Sequence, residues 1–191
     1  MVIFIFLGCN NFTVIKDEYE IVDTPHEPCI SKPAPIYLPG EMLFGRVSGL
    51  KNCLPFMASA SASLGVLNGS PIVGLFITTY EDWGGGEFVG KENIHVGVIA
   101  SGLGTFSMYN PSTDEYIAGY GTFQDFDVFE DIFKMDENYP KNEITLTLLD
   151  KSEGHIQGYF NARFLLASSM PSGHNPDTVI FTNCYFDAWK R

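Results

Sequence analysis

The sequence predicts an all-β fold, an antiparallel β-sandwich in a single domain, with a small β-barrel as the alternative. Three observations predict it. Apolar and polar residues alternate with period two from about residue 41 onward, no stretch longer than two turns carries helical periodicity, and Gly, Asn, Pro and Ser punctuate most of the runs. The composition agrees, because 16 Phe and 9 Tyr favour strands and supply enough apolar bulk for a core. A length of 191 residues suits one domain.

The elements follow in order. A first strand is predicted at 44–49. In PFMASASASL (55–64), Phe56, Ala58, Ala60, Ala62 and Leu64 share one face, and Ser59, Ser61 and Ser63 form the other. Strict alternation of this kind marks a half-buried strand, with the serine row as its polar face. Further runs lie at 71–80, 94–100, 104–109, 115–123 and 126–134, with His95 pointing off the core face of IHVGVIA. NEITLTLLD (142–150) sets Ile144, Leu146 and Leu148 opposite Thr145 and Thr147. GHIQGYFNARFLL (154–166) turns Ile156, Phe160, Ala162, Phe164 and Leu166 inward, and Gln157, Tyr159, Asn161 and Arg163 outward. Lys151-Ser152-Glu153-Gly154 joins the two as a hairpin. A last strand is predicted at 177–187.

Ahead of the sandwich (41–191) stand two segments of different character. Residues 1–9 end in Phe6-Leu7-Gly8-Cys9, which resembles a bacterial lipobox in which Cys9 is lipidated and becomes the mature N-terminus. The apolar run Val2 to Leu7 is far short of the ~20 residues that span a bilayer, and no basic n-region precedes it. A start codon assigned too late accounts for the missing n-region; the alternative is an N-terminal strand. Residues 10–40 carry Pro25, Pro28, Pro33, Pro35 and Pro39 among scattered acids, a composition that predicts an extended tether; the alternative is that part of 19–38 packs along the sheet as an edge. With Cys9 lipidated, Cys29, Cys53 and Cys184 remain, and the expected arrangement is one disulfide, Cys29–Cys53, with one buried thiol.

A net charge of −12 argues against a nucleic-acid partner and against direct docking on anionic lipid. Within the sandwich, FQDFDVFEDIF, KNEITLTLLDKSEGHIQGYFNARFLL and DTVIFTNCYFDAW occur in an order that resembles a family of uncharacterised Bacteroidetes lipoproteins. The matching positions are Asp127-Val128, Asn142 through Asp150, Ile156 through Phe160, and Thr182-Asn183 with Phe186; the family pattern has Gly where this chain has Cys184. The resemblance spans about 45–189. It implies a lipid-anchored β-sandwich at the outer membrane, on its periplasmic or surface face, and implies no activity.

Two places stand out as candidate sites. In EDWGGGEF (81–88), Trp83 with Tyr80 forms an aromatic pair beside three glycines, and Glu81 and Asp82 supply carboxylates; together they suit stacking on a sugar ring and hydrogen bonding to its hydroxyls. The alternative is a core cap on a hairpin closed by the glycines. Asp125 and Asp127 share a strand face, with Glu130 and Asp131 close by, and hard carboxylate oxygens of this kind suit Ca²⁺ or acid/base hydrolysis. The alternative there is a solvated strand face. His26, His95, His155 and His174 form no metal-ligand spacing, and GRVSG around Ser48 is no nucleophile elbow. The sequence therefore predicts a non-enzymatic envelope module that binds a glycan or small ligand. An assembly component that pairs with another envelope protein is second, and a carboxylate-dependent hydrolase is third.

Overall fold

Tight turns set the first half of the fold. Asn52 and Cys53 (φ 48° and 65°) join the first two strands, and Asn68 and Gly69 (φ 50° and 83°) join the second to the third. Positive φ at both central residues is the turn whose twist matches flanking strands, so each turn pins a register. Lys51 pairs Leu54 across the first, and Leu67 pairs Ser70 across the second. The computed structural model describes residues 44–84, 87–110, 115–125, 128–170 and 176–191, all within one compact unit. Cys9, Cys29 and the tether lie outside the described residues.

Every regular element among them is a strand: β1 (Gly45–Lys51), β2 (Leu54–Leu67), β3 (Ser70–Gly84), β4 (Glu87–Ile99), β5 (Gly104–Ser107), β6 (Tyr109–Asn110), β7 (Glu115–Tyr116), β8 (Ala118–Asp125), β9 (Val128–Met135), β10 (Glu143–Asp150), β11 (His155–Ser169) and β12 (Thr178–Trp189). β6 and β7 form a separate ribbon. The other ten make one antiparallel sheet in the order β12-β1-β2-β3-β4-β8-β9-β11-β10-β5, and β12 pairs β11 as well as β1. The hydrogen bonding therefore runs round a closed circuit through β1, β2, β3, β4, β8, β9, β11 and β12. β11 is the branch point. Its whole length up to Leu165 pairs β12, while on its other edge residues 155–161 pair β10 and residues 164–169 pair β9. The branch of β10 and β5 keeps the domain from being a simple barrel, and the architecture is sandwich-like with a closed corner.

The alternation sorts side chains as the sequence predicts except at the end of β10, where a register shift between Leu146 and Leu148 brings Leu149, and not the expected Leu148, against the core. Phe56, Ala58, Ala60 and Ala62 are buried on β2, Ile144 and Leu146 on β10, and Ile156, Phe160, Ala162 and Phe164 on β11. Phe181 sits at the centre of this core, with ring contacts to Phe56 at 5.2 Å, Tyr120 at 5.7 Å, Phe164 at 6.0 Å and Phe160 at 6.1 Å. Each buried phenyl contributes about 1.5–3 kcal/mol from area removed from water. Packing is close enough that Gly158 tolerates no side chain, since a Cβ there would fall 1.9 Å from the Thr145 carbonyl oxygen and 2.8 Å from the Phe186 ring.

Polar contacts hold the connections. Asp136, after β9, accepts from Arg163 Nε at 2.6 Å, and Asn142 Oδ1 accepts from the Arg163 amide at 2.9 Å, which ties the β9–β10 loop to β11. In the β10–β11 hairpin, Asp150 accepts from the Ser152 hydroxyl at 2.6 Å and from the amides of Ser152 and Glu153. The hydroxyl bond, followed by the two amides, holds the Asp150 carboxyl below its ordinary range.

Several boundaries differ from the expected ones. β3 runs on to Gly84 and β4 begins at Glu87, so residues 87–93 belong to a strand that was expected to start at 94. The reason is an inward-facing charge, Glu92, which breaks the apolar alternation. The run expected at 104–109 divides into β5 and β6 about Met108, which is fully buried. The run expected at 115–123 divides into β7 and β8 about Ile117, whose amide bonds the Met108 carbonyl at 2.9 Å. At Cys184 the chain departs from the regular ladder: Asn183 takes φ 49°, and the register against β11 shifts between Phe160 and Ala162. The Cys184 thiol is buried, donates to the Leu50 carbonyl at 3.7 Å, and is pushed up to about 12 by that burial.

Candidate functional site

Straight registers across five strands build an open groove on the outward face. One transverse row runs Ser61 (β2), Phe76 (β3), His95 (β4) and Gly119 (β8). The next runs Ser59, Thr78, Asn93, Gly121 and Ile132, the last on β9. Successive residues on a strand point to opposite sides, so these outward rows are the reverse of the buried Ala60, Ile77, Ile94 and Tyr120. The space over them measures about 790 Å³, and Phe129 and Ser63 complete its walls with Lys190 and Arg191 at one end.

The floor carries an aromatic stack. The Phe76 and His95 rings stack at 4.7 Å with 12° between their planes, although Phe76 keeps 52% of its surface exposed. Burial lowers the His95 pKa below its ordinary value, so near neutral pH the imidazole is an uncharged ring. Beside His95, the position of a Gly119 Cβ has no atom within 4 Å, which leaves a slot next to the rings. At Gly121 a Cβ would lie 2.7 Å from the Phe129 ring, so the glycine lets that exposed phenyl lie down against the strand. Hydroxyl and amide groups flank the platform, and Thr78 donates to Asn93 Oδ1 at 2.9 Å, which orients the Asn93 amide. A stacked ring pair with one ring half exposed, bordered by neutral hydrogen-bonding groups, can pack its open surface on a ligand ring while the border bonds the ligand's substituents.

A second constellation lies on the inward face of the same strands. Lys51 ends β1 and donates to Glu92 on β4 and to the Tyr120 hydroxyl at 3.0 Å, while that hydroxyl donates to Glu92 Oε1 at 2.7 Å. Thr79 donates to the other Glu92 oxygen at 3.2 Å, and Asp131 is buried on β9. Burial first, then the Glu92 charge and its hydrogen bond, drive the Tyr120 pKa upward, so the phenol stays protonated as a donor. Lys51, Glu92, Tyr120 and Thr79 are spent on one another. A third constellation pairs His155 Nε2 with Asp187 Oδ1 at 2.7 Å, adds the Gln157 amide at 3.2 Å from the same oxygen, and stacks Trp189 on the imidazole at 4.0 Å.

The predicted site residues are distributed differently. Tyr80, Glu81, Asp82 and Trp83 stand on β3 beyond its last pairing with β2, on the far stretch of the β3–β4 hairpin, which corrects their expected place on a loop. Glu81 is taken up by Lys91 at 2.8 Å. The side chains of Asp82, Trp83 and Asp125 lie outside the described residues, as does all of Asp127. Among the described residues no group of three or more His, Cys, Asp or Glu side chains is placed to hold a metal ion. Cys53 occupies a left-handed turn position, and its expected partner Cys29 is not among the described residues.

Sequence reasoning missed Phe76 and His95 as a pair, although the signal for half of it was present. The Asn68-Gly69 turn alone sets Ser61 opposite Phe76. The partner across β4 depends on a hairpin with two register shifts, at Thr79/Tyr80 and Asp82/Gly84, which alternation does not reveal. Compared with protein-family models, with curated proteins and with solved structures, the chain matches none.

Proposed function

We propose that this chain is a non-catalytic binding module of the bacterial cell envelope, lipid-anchored through Cys9, which takes a glycan or similar polyhydroxylated small ligand in the groove over Phe76 and His95. The observation that carries this reading is the stacked, half-open ring pair set among Ser61, Ser63, Thr78 and Asn93. A pyranose presents an apolar C–H face and a rim of hydroxyls, and the platform and its border complement the two. Absence of catalysis fits the ionisable groups near the fold's centre, since Glu92 is already engaged by Lys51, Tyr120 and Thr79.

Titration of the protein and its Phe76→Ala and His95→Ala variants against an immobilised glycan panel tests the reading. Loss of binding in both variants with unchanged near-UV circular dichroism is expected. Full retention by both overturns the site. A second reading, assembly with another envelope protein, draws on β5, the four-residue strand that ends the sheet order and offers an edge for strand addition. The localisation has its own check: membrane-fraction protein expressed from an upstream start is expected to carry acyl mass on Cys9, and an unmodified product retaining Met1 overturns it.

A further inference from the structure

Acidic side chains outnumber basic ones in this chain by 23 to 11, yet the groove over Phe76 and His95 reverses the balance. Its charged lining residues are Lys190 and Arg191, with no Asp or Glu among the described residues that face it. A second groove of about 360 Å³ is walled by Leu64, Val66, Pro71 and Ile72 and carries Lys151 and Lys190, again without a carboxylate. The two share Leu64 and Lys190, so Lys190 stands at their junction. Its position is set by backbone contacts: its amide donates to the Gly154 carbonyl at 2.8 Å, and it bridges to Ala62 on β2. Lys151, which also lines the second groove, donates to the Ser101 carbonyl at 3.3 Å.

We infer that the joined grooves select an acidic oligosaccharide, a chain of uronate-type sugars with one ring on the Phe76–His95 platform and its carboxylates directed at Lys190, Arg191 and Lys151. The inference rests on the binding-module reading above and adds the charge of the ligand. Cations grouped in a strongly acidic chain favour an anion there and leave the rest of the surface to repel it. The neutral hydroxyl and amide border of the platform favours a sugar over an acidic peptide or an anionic lipid tail.

The experiment is isothermal titration of the full chain with a uronate oligosaccharide (oligogalacturonate) and with a neutral one of equal length (cello-oligosaccharide), at low and high salt. The Lys151→Glu/Lys190→Glu double variant is run beside the Lys151→Ala/Lys190→Ala double variant as a milder change at exposed positions. The expected result is acidic ligand bound at least about tenfold more tightly than neutral, weakened by salt, with that preference lost in both double variants. Equal binding of both sugars, or a preference unchanged in the variants, overturns the inference and leaves the binding module standing. Tighter binding of a single-stranded oligonucleotide or an anionic lipid vesicle overturns it also. Failure of both sugars to bind, together with an inert Phe76→Ala variant across the glycan panel, overturns both readings.

Discussion

The two faces of β2, β3, β4 and β8 are built from alternate residues of the same strands and answer to different physics. Inward, Ala60, Ile77, Ile94 and Tyr120 are nearly fully buried against the opposing strands, and their identities follow from volume and hydrophobicity. Outward, Ser61, Phe76, His95 and Gly119 stand in register with nothing of the core to satisfy. An exposed phenyl stacked on a neutral imidazole beside a bare glycine gains no more than a cross-strand contact by being there. The inner face explains why the domain folds. The outer face is where a reason other than folding has to be sought.

Substitutions can break or sharpen that contrast, and the largest effect belongs inside. Phe181→Ala removes the ring that contacts Phe56, Tyr120, Phe160 and Phe164, and is expected to cost about 3–5 kcal/mol in denaturant unfolding. Glu92→Gln leaves Lys51 without its countercharge in a half-buried setting and is expected to cost about 1–3 kcal/mol, with ligand binding unchanged. A stability equal to wild type would make the inner polar cluster idle. Phe76→Ala on the outer face is expected to cost about 1 kcal/mol or less by the same unfolding measurement, the value of a cross-strand pair, while lowering glycan affinity at least about tenfold. Gly119→Leu sharpens the comparison further, because a Cβ there meets no atom within 4 Å: unfolding should change little while the added side chain narrows the groove and lowers glycan binding.

The smallest effect is pH-dependent and lies in the β10–β11 turn. Asp150 is held below its ordinary pKa by the folded hairpin, so its contribution is present above the unfolded value of about 3.9 and fades as pH falls through the lower folded one. The stability gap between wild type and Asp150→Ala should therefore be largest near neutrality and close below about pH 4. A gap independent of pH would mean that the turn owes nothing to the ionised carboxyl.

How much of this was legible in the sequence depends on which face is meant. Strands whose inward positions are uniformly apolar, such as 55–64 and 154–166, announce themselves through alternation, and the hairpin at 151–154 follows from its turn residues. β4 hides its first half because Glu92 occupies an inward position, and the cation that justifies it, Lys51, lies on a different strand. Alternation states that Phe76 and His95 point outward; it does not state that they meet. That depends on inter-strand register through two bulges, information carried by the fold and not by any local run of residues. The acidic residues of 125–131 show the same limit: Asp131 turns inward and is buried, while Glu130 next to it is only half-buried.

The closure of the sheet through β12 has a kinetic consequence. β12 is the last strand described and completes the circuit by pairing β1, the first described, so Gly45 finds Ala188 only after everything between them has been made. Until then β1 and β11 each present an unpaired edge, and the core around Phe181 lacks its central ring. A nascent chain emerging one end first cannot reach the native arrangement piecemeal; closing a loop nearly the length of the domain makes folding slow and late. Such a chain keeps those two edges and the space around Phe181 open until β12 is available to fill them.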